Sequence, residues 1–201
     1  LDKKALFSGQ WQLKKNKGQS IESYNKYLEE YAEPLLNKWI EKIYKEKLVS
    51  PKAVYGYYYC GRKENSVLIY DNNKSKSIAK FDFPRQRSGN NLCIADFYRD
   101  LKDNIPQDIF PMQAVTMGDI ASEFSQSLFK ADKYSDYLIF HGLAVQLAEA
   151  LAEYIHSKIR KECGFSDYEP TKTSDILAQK YRGSRFSFGY PACPKVSDSF
   201  T

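Results

Sequence analysis

Tyr181 to Pro194 reads Y-R-G-S-R-F-S-F-G-Y-P-A-C-P, and the reading of the whole chain turns on it. Two arginines, two glycines, two prolines and four aromatic residues fall within fourteen positions, a mixture that suits neither a regular helix nor a strand. Gly189 opens backbone angles closed to other residues, or lets a ligand approach the main chain. Pro191 and Pro194 fix φ, and Pro191 also keeps Tyr190 out of the α region. Arg185 stands four residues before Gly189, so one bend can aim a guanidinium and bare backbone at the same ligand. The plainer alternative is a structural turn carrying surface arginines.

Immediately upstream lies the strongest periodic segment. Over Tyr134–Arg160, the residues Tyr134, Tyr137, Leu138, His141, Ala144, Val145, Ala148, Leu151, Ala152, Ile155 and Ile159 form one apolar stripe of a long helix. Its alanines predict close packing, and His141 reads as a core histidine. Asp132 is placed to cap its start. Gly164 ends the helix, Pro170 keeps it from restarting, and Ser174 opens a short helix to Tyr181. Asp119–Lys130 predicts another helix.

Nearer the N-terminus, Ser20–Leu48 carries helical spacing with Ser20 as N-cap, and Pro34 is expected to end or kink it near Glu33. Phe7, Trp11 and Leu13 anchor a leading segment. Val54–Cys60, Ser66–Tyr70 and Ser77–Phe83 predict an antiparallel meander, rich in β-branched and aromatic residues and divided by turn residues. Ile109–Met117 is a further strand.

The 201 residues suit one domain with a real core, and 42% hydrophobic with 27% charged residues marks a soluble globular chain. A net charge of +5 favours acidic partners without requiring nucleic acid. Cys60, Cys93, Cys163 and Cys193 form no C-x-x-C pair, which points to reduced thiols, with Cys193 packed beneath the turn. No apolar run is read as approaching membrane-spanning length. The first residues lack an initiator Met and a signal peptide, so the chain reads as part of something longer.

Other chemistries find little support. Glu153 and His156 form an E-x-x-H pair, but two histidines in the chain cannot supply the two such motifs of a carboxylate-bridged di-iron site. No phosphate loop or nucleophile motif is present. R-G-S-R-F-S-F is similar to an RNA-binding aromatic motif, yet Ser184 and Arg185 stand at its key positions and prolines follow. A non-enzymatic docking module and an RNA-binding domain remain the alternatives.

R-x-x-x-G-Y-P-A-C-P, formed by Arg185, Gly189, Tyr190, Pro191, Ala192, Cys193 and Pro194, resembles the signature of the activation domain of cobalamin-dependent methionine synthase. The likeness extends to an Asp2-led opening with an aromatic and a Trp, to Arg85-Gln86, and to C-I-A-D-F at Cys93–Phe97. It also covers Ala114-Val115-Thr116 and L-A-E-A-L-A-E-Y-I-H at 147–156.

The resemblance implies an α+β fold over residues 1–201: a single domain with a twisted antiparallel sheet and packed helices, one of them long, near 134–160. It implies that the module binds S-adenosylmethionine and supports reductive remethylation of cob(II)alamin, with methyltransferase activity belonging to the parent protein. Asp2 is implied as ligand of the ammonium group, a natural carboxylate partner. Arg185 is implied in donor recognition, by side chain, backbone or both, with Gly189 and Tyr190 approaching the ligand and Ser187 and Glu149 beside it. No catalytic base and no metal site are expected here. Cobalamin is held mainly by other domains. The implied partners are that cobalamin-binding domain and a flavodoxin-type reductase, with no nucleic acid and no membrane, in the cytoplasm. Two departures stand out: the family's domain continues beyond P-A-C-P, so the chain reads as shortened, and Gln179 replaces an acidic residue.

Overall fold

A computed structural model describes residues 1–201, which divide into two compact units. Leu1–Val54 with Ala114–Lys158 form the first, Tyr55–Gln113 with Ile159–Thr201 the second.

The first unit is helical. A π-helical turn, Ala5–Gln10, leads in, followed by α1 (Ile21–Tyr27), α2 (Glu33–Glu46), α3 (Asp119–Lys130) and most of α4 (Tyr134–Glu162). Ser20 caps α1 as expected, its hydroxyl accepting the Ser23 N–H at 3.1 Å. Pro34 does not break the chain. Leu28–Ala32 widens into a π-helical turn in which the Glu33 N–H reaches back to the Leu28 carbonyl, and Pro34 falls in the first turn of α2, where a missing N–H is tolerated. Helical angles continue through Leu28 and Glu33. The core gathers Leu6, Phe7, Trp11, Leu36, Trp39 and Ile43 with Phe140 and Leu143 of α4. Phe124 meets Phe140 edge-on at 4.7 Å between ring centres. The leading segment docks as its aromatics predict: the Trp11 indole N–H donates to the Ile139 carbonyl at 3.0 Å. A Cβ on Gly142 would lie 2.8 Å from Gln10 Cβ, so the glycine permits this close approach.

Helix ends follow one chemistry. Asp132 does not cap α4. It lies in the left-handed region (φ 57°) just past α3, where the Lys133 N–H reaches the Leu128 carbonyl and the Asp132 N–H reaches Phe129, a Schellman closure. Gly164 closes α4 in the same way, with Phe165 N–H on the Arg160 carbonyl. By length and composition α4 does reach what a membrane crossing needs, with a mean hydropathy of 1.3 over its most apolar window. This corrects the expectation of no such run; Phe140 and Leu143 spend that hydropathy in the core. The first half of the expected stripe also departs: Tyr134, Leu138 and His141 are exposed, His141 stacked on Tyr137 at 5.4 Å, and the face buried there runs through Phe140 and Leu143 instead.

The second unit holds most of the sheet, the start of β1 and the end of β4 falling in the first. β1 (Lys52–Lys63), β2 (Ser66–Tyr70), β3 (Ser77–Asp82) and β4 (Asp108–Thr116) stand in the order β3-β2-β1-β4. β1 and β2 are antiparallel from Tyr59↔Tyr70 to Lys63↔Ser66, and β2 and β3 from Ser66↔Asp82, with an irregularity at Ile69/Tyr70. The architecture is α+β, as the resemblance implies. Phe81 lies stacked with both Phe110 and Phe188, at 5.7 and 5.6 Å, over Cys60, Val67, Ile94 and Cys193. Burial pushes the Cys60 thiol up to about 12. The short helix α5 covers only Thr173–Leu177 and stops before Tyr181, because Gln179 turns left-handed (φ 53°) and the Lys180 N–H closes on Asp175.

Candidate functional site

Tyr190 to Cys193 is a tight turn with Pro191 and Ala192 at its centre. The Cys193 N–H donates to the Tyr190 carbonyl, and the Gly189 N–H to the Cys193 carbonyl, each at 2.9 Å. The Cys193 thiol points inward and donates to the Ser187 carbonyl at 2.8 Å. Cys193 is buried and packs beneath the turn as expected, and burial raises its thiol above the ordinary value. Gly189 has φ +94°, and a Cβ there would meet Val196 Cγ2 at 3.1 Å. The backbone angle thus requires glycine, and its N–H is already committed.

Upstream, Phe188 is pinned to Phe81, and Phe186 faces Phe97 at 6.0 Å between ring centres. These rings fix the strip on which Arg185 is half-buried and Ser187 exposed. The Tyr190 ring is 62% exposed, a polar-tipped aromatic surface available to a ligand.

Asp2 and Glu149 belong to the first unit. The Asp2 carboxylate accepts the Ala5 N–H at 3.0 Å through Oδ1 and so caps the leading turn; a carboxylate keeps acceptor capacity beyond one such bond. Glu149 lies on an exposed position of α4. Arg185, Ser187, Gly189 and Tyr190 are together in the second unit.

Two arginine clusters in the second unit were not legible beforehand. Asp96 receives both terminal nitrogens of Arg85, at 2.8 and 2.7 Å, and one of Arg62, at 3.2 Å. Arg62 also grips Asp100 at 2.7 and 2.9 Å. Asp96 further accepts the Cys93 N–H, closing a capping box around Ile94–Phe97. The Arg85 guanidinium, first among its neighbours, holds the Asp96 carboxyl down at about 2. The paired segments Arg85-Gln86 and Cys93–Phe97 are therefore one structural device. The second cluster centres on Arg160, which is 2% exposed. It forms a forked ion pair with Glu169, one arm at 3.0 Å, and its guanidinium lies 3.7 Å from the centre of the Tyr181 ring. Glu169 and Tyr181 also line an open groove of about 870 Å³ with Asp167, Asp175, Gln179 and Arg182. An arginine in a helix's last turn, followed nine residues later by a glutamate before proline, was the only available hint.

Three tyrosines of β1 have polar or charged partners within the unit. Tyr55 and Tyr57 hydroxyls both donate to the Glu162 carboxylate, and Lys74 covers the Tyr59 ring at 4.2 Å. Burial, then the hydrogen bond to Glu162, raises the Tyr57 phenol. His156 Nδ1 lies 3.9 Å from Glu153.

The profile of the family described as vitamin B12 dependent methionine synthase, activation domain, matches residues 1–201. The chain belongs to that family. Methionine synthase of Mycobacterium tuberculosis is 39% identical over 98% of this chain, which spans 18% of that protein. The Mycobacterium leprae methionine synthase is 39% identical over 98% of the chain and 17% of its own length. The chain thus covers under a fifth of the curated relatives it matches. A crystal structure of the MetH reactivation domain bound to AdoHcy is similar at a TM-score of 0.78 and 25% identity, over 96% of this chain and 62% of that one. This activation-domain family accounts for the α+β fold described above.

Proposed function

We propose that this activation domain binds S-adenosylmethionine and positions its methyl group for reductive remethylation of cobalamin in a longer methionine synthase. The observation that carries the reading is the AdoHcy-bound structural neighbour, alike over 96% of this chain, because AdoHcy is what S-adenosylmethionine becomes on losing its methyl group. When bound, the sulfonium offers an electrophilic methyl group and the corrin cobalt a nucleophile, while a flavodoxin-type donor supplies the electron. The domain's own contribution is binding and orientation.

The residues present fit such a ligand. The Tyr190 ring is open to solvent beside a turn whose backbone is fixed by Gly189 and Pro191. In the second unit Arg185 recognises the donor and Ser187 offers a hydroxyl; in the first, Asp2 keeps acceptor capacity suited to an ammonium group and Glu149 an exposed carboxylate suited to a sulfonium. The partners are the cobalamin-holding part of the parent protein and the electron donor, in the cytoplasm.

Calorimetric titration with S-adenosylmethionine tests the reading. Saturable binding is expected, weakened more than about tenfold, or about 1.4 kcal/mol, by Arg185→Ala with folding intact. Absence of binding by the unmutated chain overturns the ligand; unchanged affinity in a folded Arg185→Ala variant overturns that residue's role.

A further inference from the structure

The stretch 181–190 contains no regular helix or strand beyond an isolated bridge at Tyr190, yet the ligand reading needs it held in one geometry. Its root is where an external constraint would act, and there Arg160 stands. The side chain is 2% exposed, so an arginine has been taken out of water at the end of α4. Its charge is met by Glu169, itself 14% exposed, through both arms of the fork. That geometry is open to arginine and not to lysine.

One flat face of the guanidinium then rests on Tyr181 at 3.7 Å. Next in sequence, Arg182 lies over Phe165 at 4.4 Å and faces Tyr168 at 5.6 Å. The dipeptide Tyr181-Arg182 is thus gripped twice, once as the ring by Arg160 in the last turn of α4 and once as the cation by Phe165 and Tyr168 in the turn that follows. The Arg160 carbonyl meanwhile accepts the Phe165 N–H that closes α4, so the same residue sets where that turn begins. Gly183 follows at once, φ +94°, with a Cβ there only 3.8 Å from Arg160 Cδ.

We propose that Arg160 is a positioning residue: with Glu169 and Tyr181 it clamps the root of the 181–190 strip and so sets the geometry in which Arg185 and Tyr190 meet their ligand. The ligand part rests on the function proposed above; the clamp itself does not. Arg160 touches no reacting group. A buried ion pair of this kind contributes little net stability compared with an apolar replacement, and its better-attested use is to specify one arrangement.

The experiment pairs S-adenosylmethionine titration with hydrogen exchange on Arg160→Lys, Tyr181→Phe and Tyr181→Leu. Arg160→Lys keeps the charge and loses the fork. It should weaken binding about tenfold or more and speed exchange at amides 182–190, while the amides of β1, β2 and β3 keep their protection. Tyr181→Phe preserves the ring face and should match the unmutated chain; Tyr181→Leu, apolar without the ring, should behave like Arg160→Lys. Should Arg160→Lys fail to fold, the Phe and Leu pair at the half-buried Tyr181 decides alone. Exchange that rises evenly through the unit, or unchanged at 182–190, overturns the clamp, as does equal behaviour of the two Tyr181 variants. If the unmutated chain does not bind S-adenosylmethionine, the proposed function fails by itself, and the exchange arms still decide the clamp.

Discussion

The long helix α4 and the strip Tyr181–Pro194 achieve order by opposite means. α4 repeats one signal, apolar residues at helical spacing: Phe140, Leu143, Ala152, Ile155 and Ile159 are buried, and Leu147, Ala148 and Leu151 between them are partly buried. Each such residue adds to the same result. The strip repeats nothing. Gly189 supplies one angle, Pro191 another, the Cys193 thiol one inward bond, and Phe188 one stacked ring. Stability in the first case is shared and tolerant of neighbours; geometry in the second depends on single identities. The largest expected effect therefore lies in α4 and concerns stability. Phe140 is fully buried against Trp39 and Phe124, so Phe140→Ala should lower the unfolding free energy by about 3–5 kcal/mol, measured by urea denaturation. A loss below about 1 kcal/mol would show that α4 is not carrying the core in the way its pattern implies.

The strip predicts a smaller and local effect. Gly189→Val places a β-branched residue at φ +94° with its Cβ against Val196 at 3.1 Å, a strain of about 1–3 kcal/mol. Its signature should be faster hydrogen exchange at Cys193 and Tyr190, whose amides the turn protects, with the sheet amides unmoved. Loss of protection throughout the second unit would mean that the turn belongs to the core and not to a separable local structure.

That contrast also explains what could be read from the chain. The strands at 54–60, 66–70 and 77–83 and the helix at 119–130 were legible because propensity and burial agree, and the structure places β1, β2, β3 and α3 on them. Two helices flank the Pro34 region as its proline implies, but α1 and α2 are joined through a π-helical turn at Leu28–Ala32 and not by a break at Glu33, a device no local propensity announces. Asp132 was misjudged because the same residue serves equally at a helix start and, left-handed, at the preceding end. Of the site, the turn and the inward Cys193 were legible from identity. The arginine clusters were not: Arg62 meets Asp100 across 38 residues and Arg160 meets Glu169 across a helix end, pairings set by the tertiary fold alone.

Gln179 sharpens the comparison on a finer scale. It closes α5 in the left-handed region at φ 53°, the position glycine holds at the end of α4. Gln has no special tolerance for that region, where a side chain costs about 1–2 kcal/mol. Gln179→Gly should raise the unfolding free energy by about 1 kcal/mol, less whatever flexibility it lends the unfolded chain. A thermal or urea midpoint that falls instead would mean that the Gln179 side chain, on the wall of the groove, contributes a contact worth more than the strain.

The smallest effect concerns Asp96, whose ion pairs with Arg85 and Arg62 lie where water screens them. Its folded-state value of about 2 lies below the ordinary carboxyl value of 3.8. A depressed carboxyl contributes stability that is fully present above its unfolded value and is lost as pH falls through the folded one, so the window runs from about pH 4 down to about pH 2. Asp96→Asn cannot titrate. The stability difference between the two proteins should hold steady at neutral pH and shrink across that window, read from urea midpoints at successive pH values. Asn still accepts the Cys93 N–H, so the capping box survives the change. A difference independent of pH would then assign the loss to the altered cap and the displaced arginines, and not to the carboxylate's charge. That outcome would place Asp96 with the residues of the Tyr181–Pro194 strip, valued for shape, instead of with charges that stabilise by attraction.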